Sequence, residues 1–254
     1  MRESREDRDS IESATPQPVV VISPHLDDAV LGCGQLLFMH PGSVVITALA
    51  GPPASYETVT VWDTAAGFGP GDDVIAARRV EDRAALAILH AAPVWLDFLD
   101  DQYGDSPSVA RLVRGLERAI TATGLTTIYI PLGFFHNDHK LTHAAMLRVR
   151  DRHPTFAWFG YEEPNYRLVP HLRSERLQAF LAAGITATPV AVSSDAGRDA
   201  KRAAVAEYRS QLRALTAPSM PGMADVFAAE RYWQLSAVDG KAVRAEKGST
   251  EHGH

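Results

Sequence analysis

Cysteine is almost absent. Cys33 is the only one among 254 residues, so no intrachain disulfide can brace the chain. Its apolar surroundings predict a buried structural thiol rather than a nucleophile or a ligand. Long apolar runs are missing too, and no stretch approaches the ~20 residues of a bilayer span, which excludes membrane insertion. Basic residues are outnumbered, with 25 Lys and Arg against 31 Asp and Glu and a net charge of −6. That balance offers no basic footprint for nucleic acid or an anionic membrane, and neither is expected as a partner. The opening MRESREDRDSIESATPQP has no apolar segment of the secretory kind, so a cytoplasmic location is the expectation.

What is present suits a soluble α/β unit. Hydrophobic residues make up 46% and charged residues 22%, enough apolar material for a sizeable core. Residues 1–17 and 239–254 have the polar composition of tails, His252 and His254 included, leaving 18–238 as a single domain. Within it, β-branched runs at 18–24 and 43–50 predict buried strands, followed by further strands at 94–100, 126–132 and 155–163. Helical spacing of apolar residues covers 28–40, 74–91, 108–124, 138–152 and 198–216. Strand and helix in alternation predict a Rossmann-like, doubly wound, mostly parallel sheet with helices on both faces. A Gly-, Pro-, Ser- and Thr-rich loop from Gly51 to about Asp72 is too long for a mere connector and predicts a functional surface loop.

Two short groups sit just beyond strands. Ser23-Pro24-His25-Leu26-Asp27-Asp28 follows the first strand, and His136-Asn137-Asp138-His139 follows the fourth. In an open α/β sheet the ligand crevice lies at the carboxyl ends of strands where the chain order reverses, so the two groups are expected to face each other. Their residue types suit a catalytic zinc, which takes three His, Asp or Glu ligands and keeps one position for water. His25 and Asp28, three apart in a turn, can point to one side and leave Asp27 free as a base. His136 and His139 have the same spacing. The plainer alternatives are that Asp27 or Asp28 caps the first helix, that Asp138 caps a later one, and that His136 is a loop histidine.

The motifs PHLDDAVLGCG and HNDHKLTHAA resemble those of the PIG-L/LmbE-like deacetylase family, and weaker similarity runs through Arg78-Arg79-Val80-Glu81, LDFLDDQY, FGYEEPNY and KRAAVAEYRSQL. The resemblance implies Zn2+ as cofactor, held by His25, Asp28 and His139. It implies Asp27 as general base, His136 as general acid or electrostatic stabiliser, and Asp138 as the neighbour behind His136. In the mechanism expected from these roles a protonated His136 meets the oxyanion, and either His136 or the newly protonated Asp27 delivers the proton to the amine. The implied reaction is removal of an acetyl group from an N-acetylglucosamine-type sugar of a soluble small-molecule glycoconjugate, with a glycopeptide or aminoglycoside antibiotic intermediate as the preferred guess. Leu26 and Ala29 depart from the family pattern, which has Pro and Glu at those places.

Further candidates follow from position. His143 lies one turn beyond His139 and is placed behind the ligands. Arg78, Asp100 and Trp62 are candidates for substrate contact. Their plainer roles are a surface pair of Arg78 with Asp82, a turn cap at Asp100, and loose packing of Trp62 together with Phe68. Gly32-Cys33-Gly34 predicts close packing of the first helix on the sheet rather than a dinucleotide loop. Two rival functions remain, a metal-dependent phosphohydrolase and a non-catalytic sugar-binding protein.

Overall fold

A computed structural model describes residues 16–190, 195–217 and 223–238. The expected tails fall outside the described residues, apart from residues 16 and 17. The chain opens with β1 (Val20–Ser23), buried throughout, then α1 (Asp28–Met39) and β2 (Val44–Thr47). The long loop contains a helix that composition concealed, α2 (Val61–Ala66). Thr60 Oγ1 accepts from Asp63 N–H at its start, and Gly67, at φ 95°, ends it. There follow α3 (Val74–Ile88), β3 (Ala92–Trp95), α4 (Val109–Thr123), β4 (Thr127–Pro131), α5 (Asn137–Arg152) and β5 (Ala157–Tyr161). The last stretch adds α6 (Leu172–Ala182), β6 (Ile185–Val190), α7 (Arg198–Glu207), α8 (Arg209–Leu215) and β7 (Tyr232–Ala237).

These strands form one seven-stranded sheet in the order β3-β2-β1-β4-β5-β7-β6. The five expected strands are parallel, and the two that the pattern did not show, β7 and β6, add antiparallel at one edge. Alternation along β1 builds a core on each face. Val20 and Ile22 pack with Leu112 and Leu116 of α4 and Met146 of α5. Val19 and Val21 turn the other way, to Leu31 of α1, Leu86 of α3 and Val205 of α7. The chain moves from β1 outward to β3 and then returns to lay β4 against the free side of β1. The loops after β1 and β4 therefore meet at the switch point.

Three local departures have physical causes. β3 is displaced from the predicted 94–100, because beyond Trp95 the chain bends over the segment that follows β2, bridging Leu49 to Asp97. The predicted helix 198–216 breaks at Tyr208, whose hydroxyl donates to Asp82 at 2.7 Å, while Ser210 N–H and Oγ both donate to Glu81. Two acids of α3 thus hold the break open. α1 is kinked at Cys33 (φ −135°, ψ 19°). The N–H groups of Gln35 and Leu36 instead donate to Glu230, which also accepts from Lys201 Nζ at 2.7 Å. A Cβ at position 32 would meet the Tyr161 ring at 2.8 Å, and at position 34 it would meet Lys201 Cγ at 2.7 Å. Gly32 and Gly34 are therefore explained by close approach, and Cys33 is fully buried.

Candidate active site

Ser23, the last residue of β1, ties the first motif into a tight turn. Its hydroxyl donates to His25 O and accepts from Ala29 N–H. Asp27 occupies the cap position of α1, yet its side chain makes no cap bond, and no hydrogen bond to that carboxylate is found among the described residues. Asp28 accepts from His25 N–H at 2.9 Å. At α5 the capping residue is His136 rather than Asp138: His136 Nδ1 accepts from Asp138 N–H at 3.3 Å. Asp138 accepts instead from Asp101 N–H, and its Oδ2 lies 3.0 Å from His25 Nε2 but 4.0 Å from His136 Nδ1. It stands behind His25, not behind His136 as the resemblance implied.

His25, Asp28 and His139 bring ligand atoms within 4.8 Å of one another. Asp28 Oδ2 is 3.2 Å from His25 Nδ1 and 3.3 Å from His139 Nε2. Ligands ~2.0–2.1 Å from a tetrahedral ion stand about 3.3 Å apart, so the trio fits one. The remaining ring nitrogens are also engaged, His25 Nε2 beside Asp138 and His139 Nδ1 3.3 Å from Glu163 Oε1. A carboxylate on the far nitrogen fixes the tautomer and aims the near one at the metal. A second combination, His25 with His136 and Asp138, is also close enough, but it takes the nitrogen and carboxylate that orient His25 in the first.

Burial and the adjacent Asp28 charge push Asp27 up to about 7. Burial acts the same way on Asp28, but His139 and His25 outweigh it and hold that carboxyl below its ordinary value. The paired acids thus differ sharply although they are neighbours in sequence. His136 is pushed below the ordinary histidine range by burial, then by His25 and His139.

His25, Asp27, Asp28, His136 and His139 of the two motifs line a cavity of about 120 Å³. Arg78, Asp100 and Trp62 all line it. Arg78 is 4% exposed, and Asp82 is engaged by Trp95 Nε1 and Tyr208, so the surface pair of Arg78 with Asp82 does not form. Asp100 does cap a turn, accepting from Gln102 N–H, and also lies 4.0 Å from Arg78. Trp62 is carried in by α2 and donates to Gln211, while Phe68 is not among the lining residues. His143 is not part of the cavity wall. Its Nδ1 lies 2.8 Å from the Pro131 carbonyl and its ring packs on Phe180, so it fastens α5 to β4. Ala29 is buried in the apolar core cluster that also contains Val21 and Leu31.

Residue-type reasoning missed Glu163. Its Oε1 accepts from Gly133 N–H and Phe134 N–H and holds His139 Nδ1, joining the β4 loop to a member of the trio. FGYEEPNY marked the segment, but a Glu after a strand has no spacing signature that ties it to a distant histidine. Glu163→Gln is expected to weaken zinc binding about 10- to 100-fold in chelator competition. An unchanged affinity would deny Glu163 this role.

The family model for PIG-L, GlcNAc-PI de-N-acetylase, matches residues 20–149, a span that includes both motifs. Sequence comparison with curated proteins gives no match. Among solved structures, the A40926 pseudoaglycone deacetylase Dbv21 is similar at 25% identity, over 88% of this chain and 99% of that one, with a TM-score of 0.71. The same fold is shared by the zinc-inhibited form of teicoplanin deacetylase Orf2, at 22% identity over 88% and 100% of the two chains and a TM-score of 0.71. The N,N'-diacetylchitobiose deacetylase from Pyrococcus horikoshii is more distant, at 17% identity over 81% of each chain and a TM-score of 0.52. With more than half its length matched and both motifs inside the match, this chain belongs to the PIG-L (GlcNAc-PI de-N-acetylase) family.

Proposed function

We propose that the protein is a zinc-dependent deacetylase acting on an N-acetylglucosamine-type sugar of a soluble glycoconjugate, with a glycopeptide or aminoglycoside antibiotic intermediate as the preferred class. The observation that carries this reading is the buried, unbonded Asp27 carboxylate beside the His25–Asp28–His139 trio. A site built for binding alone has no use for such a base. The A40926 and teicoplanin deacetylases named above support the choice of carrier.

Zinc, when held by His25, Asp28 and His139, polarises a carbonyl and brings the pKa of a water towards ~7. Asp27 takes the proton of the attacking water. Its raised affinity for a proton then suits it to pass that proton to the departing amine. His136 favours the neutral form, and with Nδ1 accepting from Asp138 N–H its proton sits on Nε2. In this reading it stabilises the oxyanion as a neutral donor rather than in the protonated form expected from the sequence. Arg78 Nε and Asn165 Oδ1 are buried without a hydrogen-bond partner among the described residues. Sugar hydroxyls would satisfy both.

The test is acetate release across a panel of N-acetylglucosaminyl compounds, with metal content measured on the same protein. One zinc per chain and acetate release are expected. Two metals with phosphate-ester hydrolysis would establish the phosphohydrolase instead, and sugar binding without acetate would establish a non-catalytic lectin-like role.

A further inference from the structure

Phe135 is unfavourable in two ways at once. Its φ of 51° lies in the left-handed region that bulky side chains avoid, and the residue is 57% exposed. Glycine takes this conformation without strain, as at Gly133, and among the described residues the other non-glycine positions with positive φ, His90 and His171, carry polar rings rather than an apolar one. A ring that only packed would be buried. Such an outlier beside a functional residue, here His136, points to use rather than accident.

The ring has a definite neighbour. Phe135 stacks on Tyr166 with centroids 5.4 Å apart and planes 23° from parallel. Tyr166 meets His139 edge to face at 5.4 Å and lines the cavity. A two-ring stack therefore runs from the ligand trio to the surface, continuous with the site. The cavity itself, about 120 Å³, is small beside the ~300–1,000 Å³ of pockets that enclose a whole ligand. It can take an acetamido group and part of a sugar, so whatever the sugar is attached to must lie across the mouth.

We infer that Phe135 and Tyr166 form a stacking platform for an aromatic aglycone attached to the sugar. A flat ring is the favoured occupant because offset stacking on an exposed aromatic face adds to the gain from area alone. The inference rests on the deacetylase reading for the sugar, but it concerns the neighbouring group.

Calorimetric binding of phenyl, cyclohexyl and methyl N-acetyl-β-glucosaminides to zinc-loaded Asp27→Asn protein tests it without turnover. The phenyl glycoside is expected to bind roughly three- to ten-fold more tightly than the methyl one, and more tightly than the cyclohexyl one. Adding Phe135→Gly should bring the phenyl-to-methyl ratio towards one while raising the melting temperature, because glycine relieves the left-handed position. A merely structural Phe135 predicts the reverse, a lower melting temperature with the ratio unchanged. An unchanged ratio, or cyclohexyl binding equal to phenyl, overturns the platform. A phenyl preference abolished by Phe135→Gly, with no acetate released from any glycoside by the wild-type protein, would sink the deacetylase reading and leave the platform standing.

Discussion

Asp27→Asn should lower kcat for acetate release by about 10²–10⁴-fold, the span associated with a positioned acid–base group, and leave zinc content unchanged. Asparagine keeps the shape but cannot accept the proton. Structural collateral is expected to be small, because the Asp27 side chain makes no cap bond to α1. Stability gives a control of opposite sign. The folded carboxyl sits at about 7, above the ~3.9 of an unfolded aspartate. The unfolded chain therefore sheds its proton first, and the residue destabilises the fold increasingly as pH rises from about 4 to 7. With zinc removed by chelator, the variant should melt at the same temperature as the wild type or higher at pH 7. Loss of activity accompanied by a lower melting temperature would mean that Asp27 serves the fold and not the reaction.

Asp28→Ala should have a different signature, losing both metal and activity. Asp28 Oδ2 is the point where the trio converges, within 3.3 Å of a nitrogen from each imidazole. Without it, two histidines from separate loops have no common anion to hold an ion between them. Metal analysis after dialysis should fall from one zinc per chain to none, and acetate release to the uncatalysed background. His139→Ala should behave alike. Full activity in metal-free Asp28→Ala protein would end the metal-dependent scheme, whereas the graded effect expected of Glu163→Gln would not.

Much of this was legible in the chain because two periodic signals were strong. The β-branched runs at 18–24 and 126–132 announced β1 and β4 as buried strands, and doubly wound topology then made neighbours of the motifs that follow them. β6 and β7 were not legible. β6 is exposed at half its positions and includes Pro189, and its partner β7 arrives far along the chain, so neither shows a buried-strand pattern. The kink at Cys33 and the break at Tyr208 were hidden for a related reason. Helical spacing persists through both, and what interrupts it is a carboxylate from elsewhere, Glu230 in one case and Asp82 with Glu81 in the other. Glu163 belongs with them. Long-range polar bonds leave no periodicity, so residues that hold the motif histidines in place are harder to read than the motifs themselves.

The placement of the motifs on β1 and β4 also has a temporal consequence. His25 and Asp138, 3.0 Å apart in the fold, are 113 residues apart in the chain. At about 5–20 residues per second, the ribosome delivers the second motif roughly 6–23 s after the first. Through that interval Asp27 and Asp28 have no histidine from the later loop to offset their like charges, and the His25–Asp28–His139 cluster lacks a member. The cluster therefore assembles only once β4 docks beside β1, and His139 gains its Glu163 partner later still, after β5 has been laid down.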